Sequence, residues 1–87
     1  MAKDSFSEWL NTKKGLQTNS SRDVVSRLKR CRTLLPQNIV IEDIPADEVI
    51  LYLERNDNFK HMSVTVRSQI KRAVKLYIEY THTELSH

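Results

Sequence analysis

The stretch SVTVRSQIKRAVKLYIEYTHTEL, Ser63 to Leu85, contains neither glycine nor proline, and its reading decides the fold class. Ser63 is a good N-cap residue. Val66, Ile70, Ala73, Val74, Tyr77 and Thr81 then recur at three- and four-residue spacing, the period of one helical face. Leu76, Ile78 and Tyr80 widen that face beyond half the circumference, which predicts a helix at the centre of a core. One Gly and two Pro in 87 residues leave few places for tight turns. A sheet-rich fold is therefore disfavoured.

Three further helices are predicted upstream. In SSRDVVSRLKRCRTLL, Ser20 to Leu35, a cap at Ser20 or Ser21 is followed by Asp23 in the first turn, where the helix dipole favours an anion. Val24, Leu28, Cys31 and Leu35 follow the i, i+4, i+7, i+11 rhythm of one face. Pro36 ends that helix. QNIVIEDIP, residues 37–45, is extended and β-branched but has no partner strand, so it is expected to be a packed connector. A helix begins at Pro45, buries Ala46, Val49 and Leu53 with Tyr52 or Ile50 at the edge, and stops at NDN, residues 56–58. Nearest the N-terminus, Ser5 and Glu8 have capping-box spacing, Phe6, Trp9 and Leu10 share a side, and Gly15 supplies a stop. The expectation is one small all-α domain of four helices, at about 5–14, 20–35, 45–55 and 63–83.

Composition narrows the function classes. The longest apolar run is a few residues, so no span of a membrane is predicted. The first ten residues lack the charged-then-apolar pattern of a secretory signal. A single cysteine excludes an internal disulfide framework and a cysteine-cluster zinc site. The expected location is cytoplasmic. With one glycine there is no phosphate-cradling loop. His61, His82 and His87 are scattered and the carboxylates sit at spacings of an exposed face, so no catalytic or metal-ligating set can be assembled. No cofactor is implied. Cys31 on its stripe reads as a small buried thiol, and Trp9 as a core anchor.

Charge is segregated along the chain. Lys13 to Arg32 holds seven cations and one acid, Glu42 to Asp57 six acids and one cation, and Lys60 to Lys75 five cations and no acid. On the second helix Arg22, Ser26, Lys29, Arg30 and Thr33 lie opposite the apolar stripe, with Arg27 and Arg32 flanking it. On the last helix Ser68, Lys71, Arg72 and Lys75 occupy the outer arc, with Arg67 at its margin. An ordinary amphipathic helix would mix acids among these cations for i, i+4 pairing, yet only Asp23 and Glu79 are near. Cations and hydroxyls are the groups that hold phosphate oxygens. The candidate DNA-binding residues are therefore Arg22, Ser26, Lys29, Arg30, Arg67, Ser68, Lys71, Arg72 and Lys75.

Taken together, FSEWL (Phe6 to Leu10), GLQTNSSRDVVSRLKR (Gly15 to Arg30), IPADEVILYLE (Ile44 to Glu54) and MSVTVRSQIKRAVKLYIEY (Met62 to Tyr80) resemble the N-terminal core-binding domain of phage integrases and other tyrosine recombinases. That domain is SAM-like. The pieces fall in the family's order and cover most of the chain, with one departure: Val24 and Val25 stand where the family often has a core Tyr. The resemblance implies clamping of double-stranded DNA, with the second and fourth helices facing the grooves. The catalytic Arg, His and Tyr nucleophile of the recombinases are absent, so no strand cleavage is expected from this chain. A catalytic domain in cis beyond His87, or a free-standing relative, are the two arrangements the resemblance allows. The alternative is a SAM-like protein-interaction module, in which acidic helix three of one copy meets the basic face of another in a homo-oligomer.

Overall fold

In a computed structural model, which describes residues 5–85, the chain is all-helical: five α-helices, a 3₁₀ turn and a closing π-turn, with no strand among the described residues. The helices are α1 (Ser5–Lys13), α2 (Thr18–Leu34), α3 (Ala46–Arg55), α4 (Asp57–Lys60) and α5 (Val64–Tyr80). The 3₁₀ turn covers Ile41–Asp43 and the π-turn Thr81–Leu85. α5 packs on α2, α1 and α3, so it is the central element that the Ser63–Leu85 pattern predicted. No helix among the described residues is long and apolar enough to cross a membrane.

The core forms where the apolar stripes converge. Phe6, Trp9 and Leu10 of α1, Val24, Leu28 and Cys31 of α2, Val49 and Leu53 of α3, and Ile70, Ala73, Val74, Ile78 and Tyr80 of α5 are buried together. At the α1 end the packing is aromatic. The Phe6 ring meets Tyr77 edge-on at 5.1 Å and Tyr80 at 5.3 Å, and Trp9 lies 5.5 Å from Tyr80, within the range of favourable ring pairs. Gly15 has φ +69°, which an L side chain adopts only at a cost. There the chain turns out of α1, and the Leu16 N–H reaches back to the Leu10 carbonyl at 3.1 Å.

Three local expectations are corrected. α2 starts at Thr18, with Gln17 as its N-cap and no side-chain cap bond, so Asp23 lies beyond the first turn. Neither Ser20 nor Ser21 caps it: Ser21 is fully buried and donates to Asn11 Oδ1 on α1. That partner is tertiary, and it draws the serine into the helix interior. Residues 56–58 do not simply end α3. Asn56 Oδ1 accepts the Phe59 N–H at 3.0 Å and opens a fifth, one-turn helix, α4, where four helices were expected in all. Phe59 of α4 is core, 1% exposed. The last helix keeps α-geometry only to Tyr80, because Thr81 and Thr83 turn their hydroxyls back onto the Ile78 and Glu79 carbonyls, both at 2.9 Å. Such back-bonding competes with the regular ladder. Ser5, the first described residue, is already helical.

Residues 37–45 form a packed connector, as expected. Ile41 is buried, and Ile39 and Ile44 lean on the core. Ser63 caps α5 by accepting the Val66 N–H at 3.2 Å.

Cys31 is fully buried, and burial pushes its thiol from 9.0 up to about 11, against the opposing charge of Arg32. The raised value means the folded state holds its proton more tightly than the unfolded chain does. Its contribution to stability is complete below pH 9 and is lost as pH rises toward 11. At two pKa units this amounts to at most about 3 kcal/mol. Urea midpoints measured across that window should fall, and Cys31→Ala should fall less steeply. Parallel declines for the two proteins would contradict the assignment.

Candidate nucleic-acid interface

The cations predicted to face outward are carried by the two longest helices, α2 and α5, of 17 residues each. Their apolar stripes pull the two helices against each other over the core, which leaves the opposite arcs to solvent. Arg22, Ser26, Lys29 and Arg30 are exposed on α2, and Ser68, Arg72 and Lys75 on α5. Among the described residues no carboxylate lies within 4.0 Å of Arg22, Lys29, Arg30, Arg72 or Lys75. Their charge is therefore not neutralised by short-range pairing.

The other two candidates on α5 sit differently. Lys71 turns toward α3, pairs with Glu54 Oε1 at 3.1 Å and lies 6.0 Å from the centroid of the Phe59 ring. Arg67 is half-buried, and its Nε has no hydrogen-bond partner among the described residues. Both occupy the edge of α5 that faces away from α2, as their helical spacing requires: Gln69 and Arg72 lie on the α2 side.

The candidate set is thus not one continuous face. Arg22, Ser26 and Lys29 line a shallow hollow of about 290 Å³ beside α1, closed by Ser7 and Val25. A second, narrower cleft of about 160 Å³ lies between α2 and α5. Ser20, Asp23 and Arg27 line it from α2, Gln69 and Arg72 from α5, over the apolar Leu16 and Val24. Arg27 Nε donates to Gln69 Oε1 at 3.0 Å and spans the two helices. Neither Arg27 nor Gln69 was among the predicted residues. Both stand at the edges of apolar stripes, and only the pairing of α2 with α5 brings those edges together.

The acids gather elsewhere. Asp43 of the 3₁₀ turn and Asp47 and Glu48 of the first turn of α3 are exposed, with no cation within 4.0 Å among the described residues. Glu42 is engaged. Arg32 Nη2 donates to its Oε2 at 3.0 Å, the Tyr77 hydroxyl donates to the same oxygen, and the Arg32 guanidinium lies 5.3 Å from the Tyr77 ring centre. Partial burial works to raise the Glu42 carboxyl, but the bonds from Tyr77 and Arg32 outweigh it and hold the group below its ordinary range. Burial, reinforced by Glu42, pushes the Tyr77 hydroxyl to about 12. At neutral pH this cluster is therefore a carboxylate held between a phenol and a guanidinium. It joins the connector to α2 and α5, so the exposed Arg32 is already engaged by a carboxylate of its own chain.

No family model, curated protein or solved structure matches this chain.

Proposed function

We propose that this chain is a non-catalytic module that binds double-stranded DNA through phosphate contacts from α2 and α5. The observation that carries this reading is a set of exposed cations on two adjacent helices with no carboxylate within 4.0 Å among the described residues: Arg22, Lys29 and Arg30 on α2, Arg72 and Lys75 on α5. Unpaired Arg and Lys on one element could be a solvated face; on two packed helices, although they do not share one continuous face, they supply the cations that phosphate oxygens engage. Ser26 and Ser68 add hydroxyl donors on the same helices. The sequence resemblance to the core-binding domain of tyrosine recombinases supports the same pair of helices and implies no strand cleavage by this chain.

Fluorescence anisotropy with a labelled duplex tests this. Affinity should fall steeply with salt, with a log–log slope of about −0.9 for each phosphate neutralised, or roughly −4.5 if all five cations engage. Undetectable binding at low salt, or binding indifferent to salt, would remove the proposal.

A second reading is favoured by the acids. Because Asp43, Asp47 and Glu48 are, among the described residues, as unpaired as the basic set, one copy offers a complementary surface to another, and a head-to-tail assembly would follow. Sedimentation without DNA at low salt separates the two readings: a monomer at high concentration eliminates self-association.

A further inference from the structure

We propose that the cleft between α2 and α5 is a seat for one phosphodiester group, held by Arg27 and Arg72. This deepens the DNA reading, since a backbone phosphate would be the occupant in a complex. The cleft also stands on its own geometry.

Arg27 commits its Nε–H to Gln69 Oε1 at 3.0 Å. That bond anchors the guanidinium across the gap between the helices and leaves its Nη donors for another partner. Arg72 lines the same cleft from α5. No carboxylate lies within 4.0 Å of either guanidinium among the described residues, although Asp23 lines the wall. Arginine forks match the paired oxygens of a phosphate in a way that a lysine ammonium does not. Ser20 adds a hydroxyl at the same wall. At about 160 Å³ the space could hold about five waters, the scale of a group of five heavy atoms.

Charge selects among phosphates. Two guanidinium groups against the Asp23 carboxylate leave one net positive charge in the cleft. A diester carries one negative charge and balances it. A phosphate dianion overshoots, and its second charge meets Asp23. The occupant is therefore a diester in preference to a terminal phosphate.

The test follows the Nε–H resonances of Arg27 and Arg72 in the isotopically labelled full chain at low ionic strength. The probes are a dinucleoside monophosphate, which carries one diester and no terminal phosphate, inorganic phosphate at a pH where it is a dianion, and chloride. Saturable shifts at both arginines with the diester, weaker with inorganic phosphate, are expected. Arg72→Gln, an exposed substitution, should abolish the diester-dependent shift at Arg27 while leaving the circular dichroism unchanged. Asp23→Asn should narrow the gap between the two probes several-fold. Shifts no larger than those with chloride, or an Arg27 response that survives Arg72→Gln, would overturn the seat. Duplex DNA titrated into the same samples keeps the two claims separate. Salt-sensitive duplex binding with silent arginines sinks the seat alone; a saturable diester response without duplex binding sinks the DNA reading alone.

Discussion

Phe59→Ala is expected to lower stability by about 3–5 kcal/mol, the cost of emptying a buried aromatic site. Phe59 is 1% exposed and is the only buried residue of α4, so its ring is what holds that single turn to the core. A chain of 87 residues has a total stability of roughly 4–13 kcal/mol by the usual scale per residue. The substitution therefore removes a large fraction of the whole, and the variant should melt far below the parent. Phe59→Leu keeps most of the apolar volume and should lose less than half as much. Urea titration of both variants measures this. A loss below about 1 kcal/mol for the alanine variant, on the scale of an ordinary surface substitution, would show that α4 is not part of the core.

The second large effect concerns binding. Changing Arg22, Lys29, Arg30 and Lys75 to glutamine together should reduce the salt slope of duplex binding by roughly 3 to 4 and the affinity near 0.1 M salt on the order of a thousandfold. These side chains are exposed and make no ion pair among the described residues, so folding should be unaffected. Lys71→Gln is the internal comparison. Its ammonium is already shared with Glu54, and the slope should barely move. If Lys71→Gln matches the fourfold variant, the binding surface lies on the α3 side of α5. If neither variant changes affinity, the cations serve solubility alone.

Periodicity made most of the fold legible. The Val24–Leu28–Cys31–Leu35 stripe, the Phe6–Trp9–Leu10 cluster and most of the long apolar face of α5 are buried where their spacing put them, while Val66, Leu76 and Tyr77 of that face are half-buried. Phe59 escaped because one turn of helix is too short to show a period. Asn56 with an aromatic three residues on was the available signal, an N-cap directly after a helix end. The start of α2 was misplaced for a related reason: Ser21 has the chemistry of a cap, but its tertiary partner Asn11 is ten residues upstream.

The site was legible as a pattern of charge and not as a surface. Helical spacing separates Arg22, Lys29 and Arg30 from the core correctly. It cannot reveal that Lys71 meets an acid seventeen residues away, or that Arg27 meets Gln69 forty-two residues away. Those pairings depend on which helix lies beside which, and the sequence carries no local trace of that choice.

Asn56 has a further consequence. Besides capping α4, its Nδ2 donates to the Leu34 carbonyl at 2.7 Å, at the end of α2. Every other helix is tied in a comparable way: α1 through Asn11, with Lys14 just past its end paired to Glu79, α2 to α5 through Arg27, α3 through Glu54, and the connector through Glu42. Each tie crosses between elements, so no helix can peel away without breaking a polar link as well as apolar contacts. Most such links are individually weak on a surface. Their placement nonetheless removes the cheap partial openings, and the domain should come apart as a single cooperative unit.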